Sequence, residues 1–105
     1  MAVIAKEEPF YMIVFSGELI EDYSIEEIYY SEKAAKKAFE NRWEELHDRS
    51  GWTPVDMLFL ISMPMPLIDK ADELVGKGTS EDCYNFINNN IDETRVIKSK
   101  LLGTK

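Results

Sequence analysis

Cysteine and histidine are almost missing from this chain of 105 residues, in which Cys83 is the only thiol and His47 the only imidazole. A lone cysteine excludes an intrachain disulfide, a Cys-rich zinc site and a paired-thiol redox centre. No metal site and no cofactor is expected. A chain without disulfides suits a reducing compartment. Glycine and proline are also sparse, at five and four, and no Gly/Ser or Pro-rich linker or internal repeat divides the sequence. Residues 1–105 therefore read as a single domain, with 1–9 and 103–105 expected to be flexible ends. Long hydrophobic runs are lacking as well. The run at residues 57–61 is far below the roughly 20 residues of a membrane span, and residues 1–9 lack the pattern of a secretory signal. The expected location is the cytoplasm, or the host cytoplasm if the source is viral.

Positive charge is the last scarcity. Twelve Lys and Arg face 20 Asp and Glu, a net charge of −8, which argues against direct nucleic-acid binding because phosphate neutralisation needs a clustered basic surface. The imbalance is uneven along the chain. Residues 1–32 carry −7, 33–50 carry +1, 51–94 carry −6 and 95–105 carry +4.

What is present is enough to fold: 45% hydrophobic and 11% aromatic residues are ordinary for a globular domain. Tyr11, Ile13, Val14 and Phe15 predict a strand over residues 10–19. After a polar turn at Glu21 and Asp22, residues 23–30 read as a second strand forming a hairpin with the first, their imperfect alternation pointing to a bulge or a helical turn. Ser31 is a good N-cap, and Ala35, Ala38, Phe39, Trp43 and Leu46 recur at helical spacing, predicting a long helix over 32–49 laid across the hairpin. Residues 55–63 carry conflicting signals. Thr53, Pro54 and Asp56 have the pattern of a helix start, but the short apolar run closed by Pro64 and Pro66 favours a buried central strand. Leu67, Ala71, Leu74 and Val75 predict a short helix capped by Asp69 and stopped by Gly76. Thr79 with Asp82 opens another helix that ends in the asparagines at 88–90. Residues 94–102 complete the set as a strand with Lys98 and Lys100 on an exposed edge. The fold class is α+β: a small antiparallel sheet of a hairpin plus one or two strands, packed against one long helix, with two short helices in the C-terminal half.

No constellation here carries catalysis. Cys83 and His47 lack an orienting partner and a local signature, so Cys83 reads as a small buried hydrophobe and His47 as a solvated residue near a helix C-terminus. The Glu44 to His47 spacing matches half of a di-metal motif, but a second histidine is needed. The segment Gly76-Lys77-Gly78-Thr79 has the wrong spacing for a phosphate loop and reads as a turn. Adjacent acids such as Glu26 and Glu27 are expected on opposite faces of their strand.

A carboxylate-rich segment with interleaved tyrosines remains: Tyr23, Tyr29 and Tyr30 among Glu18, Glu21, Asp22, Glu26 and Glu27. That mixture is the composition of a recognition patch. The favoured reading is a non-enzymatic protein-binding module whose acidic surface docks on a protein with a basic surface, with association steered by charge. In size, charge and lack of catalytic groups the chain resembles the small inhibitors that bacteriophages direct at host polymerases or defence nucleases, a likeness of bulk properties that no motif carries. Two alternatives stand beside it. One is a self-associating protein in which Met57, Phe59, Met63 and Met65 form an exposed apolar strip closing a homodimer; the other is a small enzyme using carboxylates.

Overall fold

The computed structural model describes residues 8–17, 23–49 and 51–103. Four antiparallel strands, β1 (Pro9–Ser16), β2 (Ser24–Tyr29), β3 (Met57–Pro64) and β4 (Arg95–Leu101), form one sheet in the order β2-β1-β3-β4. The helix α1 (Glu32–His47) covers one face, while α2 (Ile68–Leu74) and α3 (Ser80–Asn89) lie on the other. The α+β class and the single long helix are as the sequence predicts. The second helical layer makes the sheet buried on both sides, which is why β1 and β3 read as nearly unbroken apolar runs.

Alternation along β1 divides the interior in two. Phe10, Met12 and Val14 join Ile25, Ile61, Met63, Ala71, Leu74, Cys83 and Phe86 on the α2 and α3 side. Tyr11 and Ile13 join Ala35, Phe39, Leu46, Leu58, Leu60 and Leu102 on the α1 side. Residues 57–64 form the central strand, so the apolar run outweighs the helix-start pattern before it. That pattern is used in a turn: the Asp56 backbone N–H donates to the Thr53 carbonyl at 3.1 Å, and the Asp56 carboxylate accepts from the Thr53 N–H at 2.8 Å.

Both edge strands contain a bulge. Between the pairs Ile13 with Glu27 and Val14 with Ile25, β2 holds Glu26 as an extra residue. Between Leu60 with Lys98 and Ile61 with Val96, β4 holds Ile97. An extra residue twists an edge and spoils it as a template for further strands.

The helices α1 and α3 begin where short polar side chains satisfy free N–H groups. Ser31 Oγ accepts from Ala34 at 3.3 Å, and Thr79 Oγ1 accepts from Asp82 at 3.0 Å. Asp69 does not cap α2: a 3₁₀ turn over Met65–Leu67 leads into the helix, Leu67 takes the cap position without a side-chain bond, and Asp69 lies in the first turn. Gly76 stops the helix at φ +70, a conformation that disfavours residues with a Cβ. At the end of α3, Asn90 Nδ2 donates to the Phe86 carbonyl at 2.8 Å. Two indoles tie α1 to its surroundings, Trp43 donating to the Leu101 carbonyl at 3.1 Å and Trp52 to the Leu46 carbonyl at 2.6 Å.

Candidate functional site

The acidic, tyrosine-bearing segment is divided by the sheet. Glu18, Glu21 and Asp22 lie outside the described residues. Tyr23 packs on the α2 and α3 side in an edge-to-face contact with Tyr84, their centroids 5.1 Å apart. Tyr29 lies on the α1 side, and Tyr30 just beyond β2 is exposed. The bulge changes the expectation for Glu26 and Glu27. Because Glu26 is the extra residue, both carboxylates face the side of α1, where Arg42 meets Glu26 at 2.7 Å and Glu45 at 3.7 Å. Ser24 Oγ also donates to Glu26, and the Tyr29 hydroxyl donates to Glu27. These acids are held in an internal polar cluster. The bond to Glu26 raises the pKa of Arg42, whose charge is thereby fixed, while Arg42 Nε is buried without a hydrogen-bond partner.

Burial pushes the Tyr29 phenol up to about 12, assisted by its hydrogen bond to Glu27 and the charge of that carboxylate, with Arg42 opposing. A raised pKa means that folding favours the neutral phenol. The contribution is therefore complete below the ordinary value of 10 and is lost as pH rises through about 12. In a tyrosinate absorbance titration, Tyr29 should ionise near 12, and Glu27→Gln should move its midpoint toward 10. An unchanged midpoint in that variant would remove Glu27 as a cause.

Lys98 and Lys100 of the basic C-terminal block pair with α1. Lys98 and Lys100 reach Glu40 at 2.5 and 2.7 Å, so they are bound on the α1 face instead of standing free along the edge. The bonds from Lys100 and Lys98 hold the Glu40 carboxyl below its usual range. Lys100 also lies 4.4 Å from the centre of the Trp43 ring, which stacks on His47 at 4.0 Å. His47 is thus half-buried against an indole, beside Asp48 at 3.5 Å, rather than freely solvated.

Other candidate groups have structural employment. Cys83 is buried among the core residues, where burial raises its pKa above the ordinary value, the state of an inert thiol. Gly76 N–H donates to the Ile25 carbonyl at 3.4 Å, fastening the glycine turn to β2. Among the described residues, no group of three or more His, Cys, Asp or Glu side chains could hold a metal ion. No helix among them is long and apolar enough to cross a membrane. The methionine strip is not an exposed surface. Met63 is buried, and Met57, Phe59 and Met65 are partly covered, because register turns the odd-numbered side chains of β3 toward α2 and α3.

The sequence does not single out the opposite layer as a site. Residues 65–94 carry seven acids and two bases, a local charge of −5, and Lys70 with Glu73 at 3.7 Å is the ion pair within it among the described residues. Residues 32–49 balance five acids with five bases. Beside this acidic layer α2 and α3 contact β2, leaving the β3 and β4 half of the face more open. A cleft of about 150 Å³ remains there. The signal for the acids was in the charge count of residues 51–94; what the sequence does not tell is that they share one side of the sheet. No family model, curated protein or solved structure gives a significant match to this chain.

Proposed function

We propose that the protein is a non-enzymatic protein-binding module that presents the acidic layer of residues 65–94 to a partner with a basic surface. The observation that carries this reading is the separation of charge across the sheet. On the α1 side Glu26, Glu32 and Glu40 are matched by Arg42, Lys36, Lys98 and Lys100, whereas the other layer holds its excess of five negative charges. Unmatched surface charge speeds and orients association with an oppositely charged partner and contributes less to the strength of the final contact. A nucleic-acid-binding or defence protein of a host fits this chemistry, since its phosphate-contacting surface is basic.

Affinity capture from the lysate of the native host, at low and high salt, tests the reading. The wild-type chain should retain a basic protein at low salt and release it at high salt. A variant with Asp69, Asp72, Asp92 and Glu93 replaced by their amides should lose that protein while melting as the wild type does. Capture that ignores both salt and these four changes would overturn the proposal.

A further inference from the structure

The apolar cleft is shaped by how the two short helices sit. Val14, Phe59, Ile61 and Val96 form its floor on the sheet, and Ile87 and Ile91 form its wall at the end of α3 and the following turn. Val96 is 60% exposed and Ile91 55% exposed, so the apolar lining continues onto the surface. Polar atoms are few: Thr94 Oγ1 is already engaged in donating to the Asn90 carbonyl at 2.8 Å. At about 150 Å³ the cleft is below the roughly 300–1,000 Å³ of small-molecule sites, and its size suits one or two apolar side chains.

We infer that this cleft seats the apolar anchors of a basic amphipathic helix on the partner protein, a step that rests on the acidic-layer reading above. Charge selects this occupant. Asp92 and Glu93 directly follow Ile91 in a layer carrying −5, so lysine or arginine flanking an apolar face would be matched as that face enters. A second copy would bring two such layers together, and like charges across an interface suppress pairing. Addition of a strand along β4 is disfavoured by the bulge at Ile97. An amphipathic helix needs no backbone edge, since its side chains alone fill the groove.

Methyl NMR of the full chain tests the inference with three probes of equal length: a Leu/Lys amphipathic peptide, an oligolysine and a Leu/Glu amphipathic peptide. The Leu/Lys peptide should shift the methyl resonances of Ile61, Ile87, Ile91 and Val96, and the Leu/Glu peptide should leave them in place. Val96→Asn and Ile91→Asn, both at exposed positions, should each weaken the Leu/Lys peptide about tenfold, the loss expected from one buried apolar contact, without altering oligolysine binding. If oligolysine binds at low salt and the Leu/Lys peptide gains nothing from the cleft, the cleft inference falls and the acidic-layer reading stands. If neither cationic probe binds, both fall. Shifts of the same methyls with protein concentration would assign the cleft to a second copy, and contacts from residues 1–7 or 18–22 to Val96 would assign it to this chain; either result overturns the inference.

Discussion

Replacing Phe39 with alanine should lower the unfolding free energy by about 3–5 kcal/mol, the range for removing a buried aromatic side chain. Phe39 has no exposed surface and stands at the centre of the α1 side, among Tyr11, Ile13, Leu58, Leu60 and Leu102. Its ring is the main buried side chain that α1 contributes; of the others on that helix, Ala35 is small and Leu46 lies near the end. The loss compares with a total stability of about 5–15 kcal/mol for a domain of this kind. Part of the chain population should therefore be unfolded at moderate temperature. Urea unfolding provides the measurement, and Phe39→Leu should recover most of the lost midpoint because it leaves a smaller cavity. A loss below about 1 kcal/mol in Phe39→Ala would mean that α1 is not packed on the sheet through this residue.

Gly103→Ala should be destabilising by about 1–3 kcal/mol, the cost typical of an overpacked site. A methyl group there would lie 2.1 Å from the Thr53 carbonyl oxygen and 3.1 Å from the Pro54 Cα. Both neighbours are backbone and cannot turn aside as a flexible side chain could. The turn they belong to is itself fixed, since the Asp56 carboxylate holds the Thr53 N–H and the Asp56 carbonyl accepts from Leu102 N–H at 2.8 Å. Relief of the clash must separate residue 103 from this turn and withdraw Leu102 from its fully buried position. The melting temperature should fall by several degrees per kcal/mol for a domain of this length. Gly51→Ala is a useful contrast: nothing lies within 4 Å of a methyl there, and only the φ of +99 opposes it. If Gly103→Ala melts with the wild type, the C-terminal end does not pack against Thr53.

Local chemistry made most elements legible. Ser31 and Thr79 are read as caps and act as caps, because their partners are three residues away and no tertiary knowledge is needed. The apolar run at 57–61 is read as a central strand and is one. Thr53 to Asp56 was ambiguous for a physical reason. The same reciprocal bonds between a backbone N–H and a nearby carboxylate close a turn as readily as they open a helix, so only the following residues decide. The imperfect alternation of residues 23–30 does correspond to a bulge, but its effect on Glu26 and Glu27 depends on which strand holds the extra residue. Register with β1 decides that. Likewise, Lys98 and Lys100 find Glu40 across a sequence distance of about sixty residues, a pairing that requires β4 to lie under α1. The candidate surface was the least legible part. Acid counts along the chain do not show which acids share a side once strands and helices alternate between layers.

The bulge at Glu26 and the unequal layers set the charges of the described residues apart across the sheet. One broad side, covered by α1, is close to neutral; the other, over residues 65–94, holds −5. Under the proposed reading, a cation-rich partner would turn the α2 and α3 side toward itself before contact, within about one Debye length, near 8 Å at physiological salt. The orientational search that slows ordinary protein association would be shortened by that rotation, and added salt would lengthen it again.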